Sequence, residues 1–150
     1  MPMDPELPLA TTLEVRDRCL CFRAQRAARA LGRRFDAALK PVGLTNGQFS
    51  LLMSLNRPDP PRISDLAPFL AMDRTTLTAA LKVLERRGLV LQGTDSGDRR
   101  SRRLRLSDDG RALLKQAVPI WRRTHAEIDA ALDGLDLDRL LRGLDALGEI

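Results

Sequence analysis

The most charge-dense segment of the chain is Asp98-Arg99-Arg100-Ser101-Arg102-Arg103, which has four arginines among six residues. A guanidinium group binds a phosphate or a carboxylate through two parallel hydrogen bonds, so a cluster of this kind suits the binding of a polyanion. The alternative, without a binding function, is a solvated loop whose arginines pair with acidic side chains elsewhere in the chain. Short apolar stretches, Leu89-Val90-Leu91 and Leu104-Arg105-Leu106, flank the segment and predict that it forms the tip of a long β-hairpin.

Positive charge is concentrated around this tip. Residues 73–105 contain nine basic and four acidic side chains, whereas residues 127–150 contain seven acidic and two basic ones, within a net charge of +5. This distribution favours a polyanion-binding centre carried on a segment that does not touch the polyanion.

Length and composition argue against several other classes of protein. A chain of 150 residues is the size of one domain, and it has no apolar run of the roughly 18 residues that a membrane span needs. The acidic start of the chain is unlike a signal peptide, and two cysteines do not make a disulfide framework. We therefore expect a cytoplasmic protein with no membrane partner.

A second group of polar side chains shares one face of a predicted helix that Asp73 caps and Gly88 ends. Leucines mark the buried face of this helix, and the opposite face carries hydroxyl and basic side chains that suit base edges and phosphates. A shorter helix, predicted to be capped by Ser64, precedes it across a tight turn at 71–73. With the hairpin, these elements predict a winged helix-turn-helix. The predicted DNA-binding residues are Ser64, Arg74, Thr75, Thr76, Thr78, Lys82, Arg99, Arg100 and Arg102.

Further helices are predicted on both sides of this unit, so the fold class is mainly α with a small β-hairpin wing. A capping box at Thr11-Thr12-Leu13-Glu14 predicts one long helix that ends near Pro41, and Thr45 predicts the start of the next helix. After the hairpin, Ser107 is predicted to open a helix that Pro119 interrupts and kinks. Asp136 is predicted to open a last helix with a leucine stripe.

These motifs, in this order, resemble the MarR family of bacterial winged-helix regulators. The resemblance rests on Leu44-Thr45 with Gln48-Phe49, on Ile63 to Ala67, on Met72 to Thr78, on Leu84 to Val90, and on Asp98-Arg99-Arg100 followed by Leu106-Ser107 and Gly110. It implies a single MarR-like domain over 1–150, with dimerisation helices at 11–40 and 107–150 around a DNA-binding part at 45–106. It also implies a homodimer on a pseudo-palindromic DNA operator, with Arg100 in the minor groove and Asp98 supporting the wing through an arginine.

Two candidate control sites follow. Trp121 and His125 lie on the predicted inward seam of the kinked helix, where they would line a pocket for a small aromatic ligand or serve only as dimer core. Cys19 and Cys21 lie two apart in the predicted first helix. They cannot bridge each other there without unwinding, so they are either redox-active between subunits or inert. One histidine and two cysteines make no closed zinc site, and no metal or cofactor is expected.

The leading hypothesis is therefore a dimeric, sequence-specific transcriptional repressor that binds double-stranded DNA and is released by a small aromatic ligand or by cysteine oxidation. The alternative is a winged-helix protein-interaction module that does not read DNA. An enzyme is not expected, because the sequence has no nucleophile and base pattern, no glycine-rich phosphate loop and no metal motif.

Overall fold

A computed structural model describes residues 4–95 and 97–149, with the backbone alone described for Asp95 and for 98–101. Helices dominate this part of the chain, and its one sheet is a two-stranded antiparallel hairpin. The predicted fold class is confirmed. In chain order the elements are α1 (Leu9–Arg18), α2 (Leu20–Leu39), a 3₁₀ turn (Lys40–Val42), α3 (Asn46–Ser54), α4 (Ile63–Phe69), α5 (Arg74–Arg86), β1 (Val90–Asp95), β2 (Asp98–Leu106), α6 (Asp108–Ala131) and α7 (Leu137–Gly148).

The chain divides into two compact units between Arg34 and Phe35. The first unit contains α1 and the larger part of α2, and α1 buries none of its residues. The only buried residues of α2 are Phe35 and Leu39, which belong to the second unit. All remaining elements belong to the second unit.

The prediction of one long helix that starts from a capping box at Thr11 is wrong. The helix begins earlier, at Leu9, directly after Pro8, whose φ of −70° suits a helix start. It also breaks at Cys19, where ψ is 107°. At this break the Cys19 Sγ accepts a hydrogen bond from the backbone N–H of Phe22 at 3.3 Å. The thiol therefore occupies the place of an N-cap side chain for α2.

Most of the other helix starts are confirmed, because each is capped by the side chain that the sequence indicates. These caps are Thr45 for α3, Asp73 for α5, Ser107 for α6 and Asp136 for α7. The exception is α4, which Ser64 does not cap. Arg62 precedes this helix, and the carboxylate of Asp65 accepts a hydrogen bond from the Arg62 backbone N–H at 2.8 Å.

The core of the second unit is formed by the end of α2, α3, α4, α5, the hairpin and the first half of α6. Its most deeply buried side chains are Leu39, Leu52, Leu66, Leu77, Leu81, Leu84, Val90 and Leu104. A buried side chain of this size stabilises a fold by about 1.5 to 3 kcal/mol relative to exposure. This core fixes α5 and the hairpin relative to each other.

The helix-turn-helix connection is tight. Met72 N–H donates to the Ala67 carbonyl at 2.9 Å and Ala71 N–H donates to the Pro68 carbonyl at 3.1 Å, so the turn closes directly on the end of α4. Ala71 takes a φ of +50°, a left-handed conformation that costs a residue with a Cβ about 1 kcal/mol. The surrounding hydrogen bonds hold the chain in this turn.

The helix α6 runs unbroken from Asp108 to Ala131 with Pro119 inside it, so the predicted interruption is wrong. Pro119 is exposed, which lets water satisfy the carbonyl that the missing N–H leaves free. The buried residues of α6 are Gly110, Leu114, Ala117 and Thr124. Trp121, expected on the inward seam, is 36% exposed.

Candidate nucleic-acid interface

The exposed face of α5 carries the side chains that the sequence predicts. Leu77, Leu81 and Leu84 turn into the core because they recur at helical spacing. The opposite face presents a shallow groove of about 370 Å³, which is lined by Arg74, Thr75, Thr78, Ala79 and Lys82. The structure therefore brings four of the predicted DNA-binding residues together on one surface.

Asp73 fixes the first turn of α5 and so positions Arg74 and Thr75. One carboxylate oxygen accepts the backbone N–H of Thr76 at 2.8 Å, and the other accepts the Thr76 hydroxyl at 2.6 Å. These hydrogen bonds from Thr76 hold the pKa of Asp73 below its ordinary value. The hydroxyl proton of Thr76 is therefore used in the cap.

The basic side chains of this face are available to an anion. Within the part of the chain that the structure describes, neither Arg74 nor Lys82 forms an ion pair. The charged groups of Arg74 and Lys82 lie beside short hydroxyl side chains, which leave room for a nucleic-acid backbone to approach. Ser64, on α4, is also exposed.

The hairpin pairs Val90 with Leu106 and Thr94 with Arg102, and the pairing shifts beyond Thr94, so that Asp95 lies opposite Asp98. The predicted site residues Asp98, Arg99 and Arg100 have side chains outside the described part of the structure. The backbone of these three residues forms the first part of β2, next to the tip of the hairpin.

A chain of side-chain hydrogen bonds connects the wing to α5. Arg102 Nη1 donates to Gln92 Oε1 at 3.1 Å, and the amide of Gln92 donates to the carboxylate of Glu85. Neither Gln92 nor Glu85 could be identified from the sequence as a functional residue, since neither belongs to a basic or hydroxyl cluster. Arg103 is different, because its guanidinium donates to the Pro60 carbonyl at 2.8 Å and so holds the loop before α4.

Trp121 lines an apolar hollow of about 490 Å³ between α3, α4 and α6, which we call the Trp121 pocket. The buried ring of Phe49 lies beside that of Trp121, with ring centroids 6.4 Å apart and ring planes 19° apart. His125 lies outside this lining. Its ring centroid is 5.0 Å from that of Trp121, and its Nδ1 is 3.2 Å from the Asp129 carboxylate.

Cys19 and Cys21 are both free thiols, the first half-buried and the second exposed. The prediction that both lie within one continuous helix is wrong, because Cys19 occupies the break between α1 and α2. Cys21 Sγ accepts a hydrogen bond from the side-chain amide of Gln25 at 3.2 Å. The two thiols therefore occupy different environments although they lie two residues apart.

The described residues contain no group of three or more His, Cys, Asp or Glu side chains that could hold a metal ion. Among the same residues, no helix combines the length and the apolar character that crossing a membrane requires.

Comparison with known proteins identifies the family. The model of the MarR family matches residues 44–101, which span the helix-turn-helix and most of the wing. The M. tuberculosis transcriptional regulator MosR, solved in complex with DNA, shares 41% identity over 88% of this chain and 95% of its own, with a TM-score of 0.79.

Two further solved structures have a fold similar to that of this chain. The transcriptional repressor CouR, bound to a 23-mer DNA duplex, shares 32% identity over 89% of this chain and 94% of its own, with a TM-score of 0.78. A mutant of E. coli MarR in complex with operator DNA shares the fold at 22% identity, with a TM-score of 0.80 over 90% of this chain and 97% of its own. By sequence and by fold, the chain belongs to the MarR family of winged-helix, DNA-binding transcriptional regulators.

Proposed function

We propose that the protein is a homodimeric repressor that binds a pseudo-palindromic operator in bacterial DNA and is released by a small aromatic ligand or by cysteine oxidation. The exposed face of α5 is the observation that carries this proposal. It combines two basic side chains that pair with no described residue and two hydroxyl side chains in one groove, opposite three buried leucines. The protein would act in the cytoplasm, on the nucleoid.

In this proposal α5 enters the major groove, where Arg74, Thr75 and Thr78 reach base edges and Lys82 reaches a phosphate. Thr76 contributes chiefly through the cap that it forms with Asp73. The exposed Ser64 contacts the DNA backbone from the start of α4.

The wing supplies the second contact. Arg100 enters the minor groove, Arg99 and Arg102 approach the backbone beside it, and Asp98 supports the wing through an arginine. A narrow minor groove attracts arginine because its negative potential is enhanced. The chain of hydrogen bonds from Arg102 to Glu85 favours this arrangement, since it ties the wing to the helix that reads the major groove.

The dimer is proposed to use the helices within 11–40 and 107–150. The helix α7 buries none of its residues, and Leu140, Leu141, Leu144 and Leu147 form an exposed stripe along it. A monomeric protein rarely exposes an apolar stripe of this length, and a second copy would remove it from water. A dimer would also set two copies of α5 about one helical turn of DNA apart.

The effector is proposed to bind in the Trp121 pocket. Its volume of about 490 Å³ lies within the usual range for small-molecule sites, and the exposed ring of Trp121, beside the buried Phe49, offers a flat face to an aromatic ring. Arg122, which also lines this pocket, would pair with a carboxylate on the ligand. His125 would act indirectly, by packing against Trp121.

Oxidation is the second proposed release mechanism. Two thiols, from Cys19 or Cys21 of each subunit, would give up two electrons and two protons to peroxide and form a disulfide and water. A disulfide at Cys19 would also replace the thiol that caps α2. Peroxide should then weaken operator binding, and a thiol reductant should restore it.

Two variants test the proposed DNA contacts. Lys82→Ala should weaken binding to every duplex and reduce the slope of log affinity against log salt by about one unit, because one phosphate contact is lost. Arg100→Ala should weaken operator binding. Arg123→Gln, which removes an exposed charge from α6, is the control and should bind as the wild type does. Wild-type affinity in both test variants would refute this docking and favour a protein-interaction module instead.

A further inference from the structure

The helix α2 carries a row of arginines that the proposed function does not use. Residues 16–34 contain seven arginines, one acidic side chain and no lysine. Three of these arginines, Arg26, Arg29 and Arg33, recur at intervals of three and four residues, and all three are exposed. We call them the arginine stripe. The stripe lies outside residues 44–101, which the family model matches.

The arginine stripe occupies one face of the helix. At 3.6 residues per turn, its three side chains fall within about 60° of one another around the α2 axis. The apolar side chains of Leu20, Ala27 and Leu31 project from the opposite side. Because the proposed dimer uses helices within 11–40, a second copy would cover the apolar side and leave the stripe in solvent.

The stripe carries positive charge that no described acidic side chain pairs with. Within the described residues, none of its three arginines forms an ion pair. Arg29 Nη1 donates to the side-chain oxygen of Gln25 at 3.4 Å, a neutral partner that leaves the charge in place. Like charges on successive turns of a helix repel one another, and a bound polyanion would remove that repulsion.

The two acidic residues nearest to the stripe along the chain are engaged elsewhere. Asp17 Oδ1 lies 2.7 Å from Arg16 Nε in an ion pair. Asp36, the single acid of α2, accepts the backbone N–H of Asn46 at 2.6 Å, so its carboxylate serves the start of α3. The arginine stripe is therefore an exposed cationic surface rather than one side of an ion-pair network.

The spacing of the stripe suits the phosphate backbone of DNA. At 1.5 Å per residue, its arginines spread over about 10 Å of the α2 axis. One strand of DNA presents a phosphate about every 3.4 Å along the duplex axis. A guanidinium fork binds a phosphate through two parallel hydrogen bonds, so a row of phosphates can engage all three arginines. A small anion reaches only one or two of them.

We propose that the arginine stripe of α2 is a second DNA-binding surface, which binds the phosphate backbone of double-stranded DNA irrespective of its sequence. The exposed face of α5 reads the operator, and the stripe adds affinity for any duplex. No residue of the stripe lines the groove on α5, so substitutions can remove the two surfaces separately.

Anisotropy titrations of the full-length protein with a random-sequence duplex at several salt concentrations test this inference. Arg26→Gln/Arg29→Gln/Arg33→Gln should weaken binding and reduce the slope of log affinity against log salt by about two to three units, because up to three phosphate contacts are lost. Replacement of the same three residues by lysine keeps the charge and should keep most of the slope. Adding Lys82→Ala to the glutamine variant should lower the slope by about one further unit.

The matched control is Arg123→Gln/Arg139→Gln/Arg142→Gln, which removes three exposed charges from α6 and α7 and therefore has the same net charge. It should keep the wild-type slope. Sedimentation velocity and thermal unfolding check that the variants keep the assembly and the fold of the wild type. Arg26→Gln alone should reduce the slope by about one unit, which tests the inference even if the triple variant does not fold.

A wild-type slope in the triple glutamine variant would overturn the inference. An equal loss of slope in the control would also overturn it, because net charge alone would then explain the effect. Vesicles of phosphatidylserine and phosphatidylcholine that bind the wild type but not the triple variant, together with an unchanged DNA slope, would assign the stripe to an anionic membrane instead. The ratio of operator to random-duplex affinity should be the same in the triple variant and the wild type, whereas failure of the proposed operator reading would abolish that ratio in both.

Discussion

Asp73 shows how one side chain fixes the first turn of α5, the helix that we propose to read the DNA. Its carboxylate accepts two hydrogen bonds from Thr76, and these lower its pKa from an ordinary value of 3.8. A carboxyl whose pKa is lower in the folded state stabilises the fold at pH values above its unfolded pKa. That contribution is lost as the pH falls through the folded pKa.

The variant Asp73→Asn tests this account, because asparagine keeps a capping oxygen but carries no titratable charge. Near pH 7 it should have a lower thermal midpoint than the wild type, and the difference should shrink as the pH falls below about 3.8. Circular-dichroism melts from pH 7 to pH 3 measure both quantities. A difference that does not vary with pH would contradict the role of the charge.

Gly110 is required for a close approach between the wing and α6. A Cβ at this position would lie 2.2 Å from the Leu89 carbonyl oxygen, which also accepts the backbone N–H of Ser107 at 3.0 Å. Gly110→Ala should therefore destabilise the fold by about 1 to 3 kcal/mol, as overpacking does.

Denaturant unfolding at a fixed protein concentration measures this effect. Gly47→Ala in α3 is the matched control, because a Cβ there meets only the Thr45 hydroxyl at 4.0 Å. The control should be neutral or stabilising by up to about 1 kcal/mol. Equal stability of the two variants would show that the contact at Leu89 does not constrain the fold.

At the scale of elements, the starts of α3, α5, α6 and α7 could be predicted from the sequence, because Thr, Asp and Ser caps act on backbone groups two or three residues away. The break between α1 and α2 at Cys19 could not be predicted from the sequence, because cysteine is not among the usual N-cap residues. The predicted cap of α4 at Ser64 is wrong, because the backbone N–H of Arg62 donates to the Asp65 carboxylate and fixes the start of the helix instead.

The candidate site likewise has one part that could be predicted from the sequence and one part that could not. The face of α5 could be predicted, because leucines at helical spacing leave the opposite face to solvent. Of the Trp121 pocket, only Trp121 itself could be predicted, because the other lining side chains belong to α3, α4 and other positions of α6 and are brought together by the fold. The hydrogen bonds that join Arg102, Gln92 and Glu85 could not be predicted from the sequence either.

The hydrogen bonds among Arg102, Gln92 and Glu85 predict that the wing and α5 act as one structural element. Gln92→Ala removes the link without removing a proposed DNA contact, so operator affinity should fall about two- to tenfold, the value of one hydrogen bond. The salt slope should stay at the wild-type value, because no phosphate contact is lost. Anisotropy titrations at several salt concentrations measure both. A changed slope, or unchanged affinity, would count against a positioning role for Gln92.

At the scale of the whole molecule, the exposed leucines of α7 predict the oligomeric state. Leu144 is 50% exposed in the single chain, and Leu144→Lys would place a charge in the proposed interface. Sedimentation velocity should give twice the chain mass of 16.7 kDa for the wild type and a shift toward the single-chain mass for the variant. Asp145→Lys, on α7 but outside the leucine stripe, should remain dimeric. A monomeric wild type would rule out this interface.

A fluorescence-anisotropy titration at two salt concentrations shows whether the protein binds a specific DNA sequence. One duplex comes from the region upstream of the protein's own gene, others come from a pool of genomic fragments, and a random duplex of equal length is the reference. The account predicts that at least one duplex binds two chains, roughly a thousandfold or more tightly than the random sequence, and weakens steeply with salt. Failure of every duplex to bind better than the random one would contradict it.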